Sequence, residues 1–266
     1  MTRAQGAAGA QLFMADDKPS AAAFPGILFV TLPKSGSIFI SRWLAKGLGI
    51  REMKVAVCLF PNDLIIREKL DELVAGNAIA QQHVPPLDLN LRFIANRTKR
   101  FVVHVRDPRQ ATLSWVHHLD NFFAHKDIVP ACAFGLEAVS PVLPGDYFDR
   151  SFEQKVDYQI DTHLPILARW IEEWLGAQGL YSFEILYTAY EDFLADQEKF
   201  ISVILAHFGI PSSSFEWQKV PERSPQNHYR LGNADEWRQA FTPEQMLRAT
   251  SQIPDGLYER FGWRRP

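Results

Sequence analysis

A short segment near the start of the chain, Pro33-Lys34-Ser35-Gly36-Ser37, combines a lysine, a glycine and two hydroxyls. It follows an apolar run, residues 27–32, and precedes a helical pattern. A strand that turns into a helix in this way aims several unpaired backbone N–H groups and the positive end of the helix dipole at one point. The segment therefore favours an anion, although similar turns also occur for purely structural reasons. Because the lysine precedes the glycine, this is not the nucleoside-triphosphate loop GxxxxGK[ST], whose lysine comes last.

An arginine and a serine extend this predicted anion site from a second segment. Residues 101–105 are typical of another buried strand, Arg106 follows it directly, and a helical pattern covers residues 109–123. In open α/β sheets, ligands bind in the crevice beyond the carboxyl ends of the strands. Ser114 lies about two helical turns beyond Arg106, so its hydroxyl can face the same crevice.

With these two motifs the chain resembles the sulfotransferases that use 3′-phosphoadenosine 5′-phosphosulfate (PAPS) as donor. The family's 5′-phosphosulfate loop has the form PKSGTTW, and PKSGSIF matches it in this chain. Arg106 and Ser114 match the R-x₇-S spacing that holds the donor's 3′-phosphate in the family. The resemblance implies that the 5′ end of the donor is bound by Lys34, Ser35, Gly36, Ser37, Ile38 and Phe39.

Three later segments resemble further nucleotide-binding parts of the same family. Tyr190 begins a YEDF segment similar to the family's YEDL, whose tyrosine contacts adenine, and Ser213 and Phe215 lie in SSFE, similar to an adenine wall TSFE. The YRLG of residues 229–232 and the FTPEQ of residues 241–245 resemble the region that closes over the 3′-phosphate. The resemblance implies that this phosphate also meets Arg230, Leu231 and Gly232. Because Leu231 replaces a lysine of the family, weaker phosphate binding is expected there.

The resemblance also implies which residues carry the reaction, namely Lys34, His83 and Ser114. Sulfuryl transfer needs an in-line nucleophile and neutralisation of the leaving oxygen, so positioning and electrostatics carry most of the catalysis. Lys34 supplies a mobile positive charge, and His83, in a segment that corresponds to the family's THLP, is the predicted base. By its local sequence alone, His83 is equally compatible with packing a loop. A rate that falls in acid, with a midpoint near the ordinary histidine range, is expected.

These residues need a sheet to bring them together. Apolar runs predict strands at residues 27–32, 101–105 and 184–187, and helical patterns predict helices at 37–48, 109–123, 154–178 and 197–208. The alternation predicts an α/β fold with a single domain, in which helices flank a central parallel sheet around a P-loop-like strand–loop–helix. His104 lies inside a strand and is predicted to be a core residue. The irregular stretch 122–152 is typical of a lid or binding loop.

Composition limits the partners. The chain has 266 residues, 47% hydrophobic content and a net charge of −3, which argues against general binding to nucleic acid or anionic membranes. A flexible segment, residues 1–24, is expected before one sulfotransferase domain, residues 25–266. With no secretory leader and no apolar span, a cytoplasmic protein is expected. Cys58 and Cys132 make neither a disulfide framework nor a metal cluster. No metal is expected, because positioning and electrostatics carry most of sulfuryl transfer.

Three functions are compatible with this sequence. The first is a PAPS-dependent sulfotransferase that acts on a hydroxyl or an amine of a small-molecule acceptor and releases 3′-phosphoadenosine 5′-phosphate (PAP). The second is a P-loop nucleotide kinase or phosphotransferase, which lacks support because the GK[ST] ending and an evident magnesium carboxylate are missing. The third is a non-catalytic nucleotide-binding protein. The dimer-forming KxxxTVxxxE pattern of many cytosolic members is absent from the sequence, so the oligomeric state stays open.

Overall fold

The computed structural model of the chain describes residues 24–57, 60–123, 143–217 and 233–266. The expected flexible segment falls almost wholly on residues 1–23, and both cysteines also lie outside the described ranges. The strands are β1 (Ile27–Thr31), β2 (Arg51–Met53), β3 (Ala56–Val57), β4 (Leu64–Ile65), β5 (Ala78–Gln82), β6 (Arg100–Val105) and β7 (Glu184–Ala189). The helices are α1 (Ser37–Leu48), α2 (Arg67–Val74), α3 (Asp88–Ala95), α4 (Pro108–Phe123), α5 (Phe152–Thr162), α6 (Leu164–Ala177), α7 (Tyr190–Ala195), α8 (Gln197–His207), α9 (Trp237–Ala240), α10 (Pro243–Ser251) and α11 (Asp255–Phe261), with 3₁₀ turns at Tyr147–Asp149 and Ser212–Ser214.

The main sheet has five strands in the order β2-β5-β1-β6-β7, and all of its neighbouring pairs are parallel. A two-stranded antiparallel sheet pairs β3 with β4. The predicted α/β fold with a central parallel sheet is therefore confirmed. Because all five strands run in the same direction, their carboxyl ends lie along one edge, where α/β folds bind ligands.

Both faces of the sheet are covered by helices. Leu28 and Val30 of β1 belong to one apolar cluster, which includes the buried sides of α5 and α6. Ile27 and Phe29, which point the other way, belong to a second cluster with α1 and α8. A strand buried on both faces requires a continuous apolar run rather than an alternating one. That requirement explains why β1 and β6 were predictable from their sequences.

The predicted single helix at 154–178 is wrong. The structure has two helices there, α5 and α6, which meet at His163. Pro165 stands in the first turn of α6. Proline has no N–H to donate, and its ring clashes with the carbonyl four residues before it, so one continuous helix is broken at this point.

The other predicted elements are confirmed within a residue or two. Helix α1 has the predicted bounds, and α8 ends at His207, with Phe208 and Gly209 following in the terminating turn. Strand β5 was missed because its sequence ends in two glutamines, Gln81 and Gln82, yet both side chains are buried. Within the described ranges, none of the helices has the length and apolar character of a membrane span.

Candidate active site

Each strand of the main sheet delivers a charged or polar side chain to the carboxyl edge. The residue lies directly after its strand in four cases and three positions after it in the case of β1. In sheet order from β2 to β7 these residues are Lys54, His83, Lys34, Arg106 and Tyr190. Four of the five were predicted site residues, and Lys54 was not.

The predicted phosphate loop joins β1 to α1. Gly36 has a φ of 74° and Lys34 a φ of 62°, so the loop uses the left-handed region twice. No side chain caps the start of α1, and its first turn carries no acidic residue. The first N–H groups of α1, and the positive end of its dipole, are thus directed at the position where an anion was predicted.

Gly36 is required at its position for two reasons. Left-handed backbone is costly for residues with a Cβ atom. In addition, a Cβ at this position would lie 2.5 Å from the ring of Tyr190. Tyr190 is 2% exposed and packs under the loop, so its predicted contact with adenine stays a prediction. The loop is held down from the inside by Ser35, whose Oγ donates a hydrogen bond of 2.7 Å to the Leu32 carbonyl.

Arg106 connects the loop to the C-terminal part of the chain. Its guanidinium donates hydrogen bonds of 2.9 Å to the carbonyl of Lys34 and 2.9 Å to the carbonyl of Asn233. It also lies 4.3 Å from the centre of the Tyr190 ring. The side chain is buried, and burial lowers the pKa of Arg106. Its Nε has no hydrogen-bond partner among the described residues, so one buried donor is left for an anion.

A buried ion pair supports Arg106 from behind. Arg109 is fully buried and donates to Asp107, with 2.6 Å between Nη2 and Oδ2. Glu191 accepts from the backbone N–H of Asp107 at 3.2 Å and from the indole of Trp263 at 3.3 Å. Burial, followed by the charge of Asp107, raises the pKa of Glu191. These contacts join β6, α7 and the C-terminus, and they orient the turn that carries Arg106. The sequence RDPR contains Asp107 and Arg109, but it does not reveal that Asp107 pairs with Arg109 and leaves Arg106 to the site.

Ser114, the second residue of the predicted arginine–serine pair, lies in α4 and is half-buried. No hydrogen bond joins it to Arg106 within the described ranges, so its assigned roles stay predictions. Three other predicted residues, Arg230, Leu231 and Gly232, lie outside the described ranges. The described chain resumes at Asn233, whose carbonyl accepts a hydrogen bond from Arg106.

His83 is anchored through one ring nitrogen. Its Nδ1 lies 2.8 Å from the carbonyl oxygen of Thr31 and 3.2 Å from the Thr31 hydroxyl. A carbonyl can only accept, so we assign the ring proton to Nδ1, which leaves the lone pair on Nε2. Burial, and then the charges of Lys54 and Lys34, lower the pKa of His83 to about 4. His83 is therefore neutral at pH 7, and if it is the base, the rate should fall in acid with a midpoint below the ordinary histidine range.

Three other histidines differ from His83. His104 is fully buried and both of its nitrogens are paired, with Thr188 at 2.9 Å and with the Ser35 carbonyl at 2.9 Å. It is a core residue, as predicted, and it helps to hold the phosphate loop. His117 and His118 lie on α4, where their rings contact Phe152 and Trp115.

An aromatic cluster borders the loop on the α1 side. Phe39 lies 6.4 Å from Trp43 and 5.9 Å from Phe193, measured between ring centres. Phe215 is buried and packs so closely on α1 that a Cβ at Gly47 would lie 2.3 Å from its ring. Ser213 is exposed in the 3₁₀ turn before it. The structure thus brings the predicted adenine-wall segment to the helix that starts at the phosphate loop, and direct contact with a ligand stays a prediction.

Comparison with known proteins gives a match in fold alone. No family model and no curated protein matches the chain. Mouse sulfotransferase SULT7A1, solved in complex with PAP, matches with a TM-score of 0.55 at 14% identity, over 89% of this chain and 86% of that chain. A sulfotransferase from Alicyclobacillus acidocaldarius matches with a TM-score of 0.46 at 12% identity, over 89% of this chain and 99% of that chain. The likeness to the mouse structure shows that the chain shares a sulfotransferase's fold, so the predicted resemblance is confirmed at that level.

Proposed function

We propose that this protein is a PAPS-dependent sulfotransferase that transfers a sulfuryl group to a hydroxyl or an amine of a small-molecule acceptor. The observation that carries the proposal is the row of side chains along one sheet edge, in which a neutral histidine, a loop lysine and a buried arginine come from three adjacent strands. These three groups supply a proton acceptor, a mobile cation and a fixed cation.

The donor's two anionic ends suit two different parts of this edge. The uncapped start of α1 and the ammonium of Lys34 suit the 5′-phosphosulfate. The unpaired Nε of Arg106 suits the 3′-phosphate, because a buried guanidinium with a donor to spare binds a phosphate with charge-assisted hydrogen bonds. PAPS supplies the activated sulfuryl group, and PAP is the expected product.

The reaction is a single in-line displacement. The acceptor oxygen or nitrogen forms a bond to sulfur, while the bond from sulfur to the bridging phosphate oxygen breaks. Nε2 of His83 accepts the acceptor's proton, and its neutral state at pH 7 suits this task. Lys34 is suited to neutralise the charge that develops on the leaving oxygen, because such a charge interacts most strongly in the transition state.

Nucleotide binding and transfer test this function in two steps. Thermal unfolding is measured with PAP, adenosine 5′-monophosphate or ATP, and PAP at a hundred times its Kd should add about 2.7 kcal/mol to the free energy of unfolding. Equal stabilisation by PAP and adenosine 5′-monophosphate would overturn the assignment of the 3′-phosphate. Stronger stabilisation by ATP would favour a kinase. Transfer of labelled sulfate from PAPS to a mixed panel of phenols, alcohols and amines then distinguishes an enzyme from a nucleotide-binding protein without activity.

A further inference from the structure

Lys54 belongs to the same sheet edge as the residues above, at the end where β2 is the outermost strand. It follows β2 directly, as His83 follows β5, and the two strands pair in parallel with Met53 beside Ala80. The Nζ of Lys54 donates a hydrogen bond of 3.3 Å to the Gln81 carbonyl. The ammonium is thereby tied to the segment that carries the proposed base.

The order of the strands separates Lys54 from the proposed donor site. Arg106 and Tyr190 follow β6 and β7 on one side of β1, while His83 and Lys54 follow β5 and β2 on the other side. In an in-line transfer, the leaving oxygen and the attacking atom lie on opposite sides of sulfur. The proposed base, His83, lies on the side of the attacking atom. Lys54, which follows the next strand outward, therefore lies on the side where the rest of the acceptor molecule binds.

A cavity of about 220 Å³ lies at this end of the edge, between α1 and the strands β2 and β5. Its lining includes Ile38 and Ser41 of α1 together with Arg42, Glu52 and Lys54. Its volume is below the roughly 300–1,000 Å³ of pockets that enclose a whole drug-sized ligand. The cavity is therefore suited to one substituent of an acceptor rather than to the complete molecule.

The charges around this cavity sum to a positive value. Nε of Arg42 and Oε2 of Glu52 are 4.0 Å apart, so these two charges offset each other in part. Lys54 is exposed and contributes the remaining charge. The charge of Lys54 also acts on the proposed base, since it lowers the pKa of His83 more than the charge of Lys34 does.

We infer that Lys54 is a specificity-determining residue that selects acceptors carrying an anionic group, such as a carboxylate, close to the nucleophile. The inference rests on the proposed sulfotransferase function and names the chemical class of its acceptor. Its role is to attract and orient the acceptor, whereas the bonds that form and break are those of the transfer itself. Because the ammonium is exposed, its effect is modest and weakens as salt increases.

Three phenols that differ in charge test this selection. The anion 4-hydroxyphenylacetate, the neutral 4-hydroxyphenylacetamide and the cation tyramine present the same phenol next to different substituents. Their dissociation constants are measured by calorimetry on protein saturated with PAP, so the readout does not need turnover. We expect the anion to bind about 1.5- to 5-fold more tightly than the amide, which is the range of an exposed ion pair, and the cation to bind more weakly than the amide.

Variants assign the effect to one side chain. Lys54→Met should remove the preference for the anion, Lys54→Arg should keep it, and Lys46→Met, which removes an exposed lysine from the last turn of α1, should leave it unchanged. If wild type shows no preference for the anion, or if Lys54→Met retains it, the inference is overturned. If the wild type does not bind PAP, the proposed function is overturned instead. Failure of the inference and failure of the proposed function are therefore distinguishable.

Discussion

The two ends of the sheet's carboxyl edge differ in how tightly their charged groups are held. At the β1–β6–β7 end, Arg106 is 6% exposed, bonds two carbonyls and stacks on Tyr190. At the β5–β2 end, His83 is anchored through one nitrogen and Lys54 is exposed. Groups that recognise a constant ligand can be built into the packing, because the ligand never changes. Groups that meet a proton in transfer, or a variable acceptor, must stay accessible. The comparison therefore predicts that substitution of Arg106 weakens nucleotide binding, substitution of His83 slows turnover, and substitution of Lys54 changes acceptor affinity.

The largest effect is expected at His83. His83→Asn should lower turnover about 10²- to 10⁴-fold, which is the contribution of a general base, while PAP binding stays close to that of wild type. Turnover is measured at saturating donor, and PAP affinity is measured by calorimetry. His207→Asn is the matched control, since His207 contacts the Phe101 carbonyl near the start of β6, far from the carboxyl edge. If His83→Asn keeps more than a tenth of wild-type turnover, the base lies elsewhere, and His117 and His118 are the next candidates.

A smaller effect, on nucleotide affinity rather than on turnover, is expected at Arg106. Arg106→Met should weaken PAP binding about 10- to 150-fold, because a hydrogen bond to a charged group contributes about 1.5–3 kcal/mol. Turnover at saturating donor should change much less. Arg100→Met removes an arginine from the start of the same strand, where it makes an exposed ion pair with Glu184, and should leave PAP binding unchanged. Equal losses in the two variants would mean that general charge, rather than the site, explains the effect.

The tight packing of the loop predicts a difference between two glycines. Gly36 and Gly49 flank α1 and have similar φ values of 74° and 64°, yet a Cβ at Gly49 has nothing within 4 Å, whereas a Cβ at Gly36 would meet Tyr190. Gly49→Ala should lower the free energy of unfolding by about 1 kcal/mol through backbone strain alone. Gly36→Ala should lower it further and also weaken PAP binding. Chemical denaturation and calorimetry check both values, and equal losses of stability would show that Tyr190 can move aside.

The smallest effect is a shift in pH dependence. The base must be neutral, and the pKa of His83 is lowered to about 4, so turnover should stay level from neutral pH downward and reach half its maximum near pH 4. Lys54→Met removes a charge that disfavours the protonated ring, so the midpoint should rise towards the ordinary histidine pKa of about 6.5. A midpoint near 6.5 in the wild type would contradict the lowered pKa that partial burial of the ring and the two lysines give His83.

Unfolding in acid must be separated from this titration. Burial lowers the pKa of His104 to about 4 and that of His163 to about 3. The folded protein therefore binds fewer protons than the unfolded chain once the pH falls below the ordinary histidine pKa of about 6.5. Stability is therefore expected to fall as pH falls from 6.5 towards 4. Circular dichroism at each pH shows whether the protein is still folded where turnover declines.

Local sequence patterns were enough to predict the two central strands, β1 and β6, and the loop and helix that follow β1. The continuous apolar runs of β1 and β6, the lysine–glycine turn after β1 and the bounds of α1 are all local features of the chain, and the structure confirms them. Arg106 and His83 could be named because each belongs to a motif of recognisable order. The break at His163 was also present in the sequence as Pro165, and it was missed because the apolar spacing continued through it.

Tertiary structure alone decided how these parts meet. Strand β5 ends in glutamines that no propensity assigns to a buried strand, and they are satisfied only by distant partners. Gln82 accepts from the backbone N–H groups of Val55 and Ala56, and Gln81 donates to the Thr31 hydroxyl. The same pairing brings Lys54 to the Gln81 carbonyl, two residues before His83. Burial and the charge of two lysines from other strands then set the pKa of that histidine. Sequence determines elements through local backbone preferences, whereas neighbours and local fields depend on contacts between residues far apart in the chain.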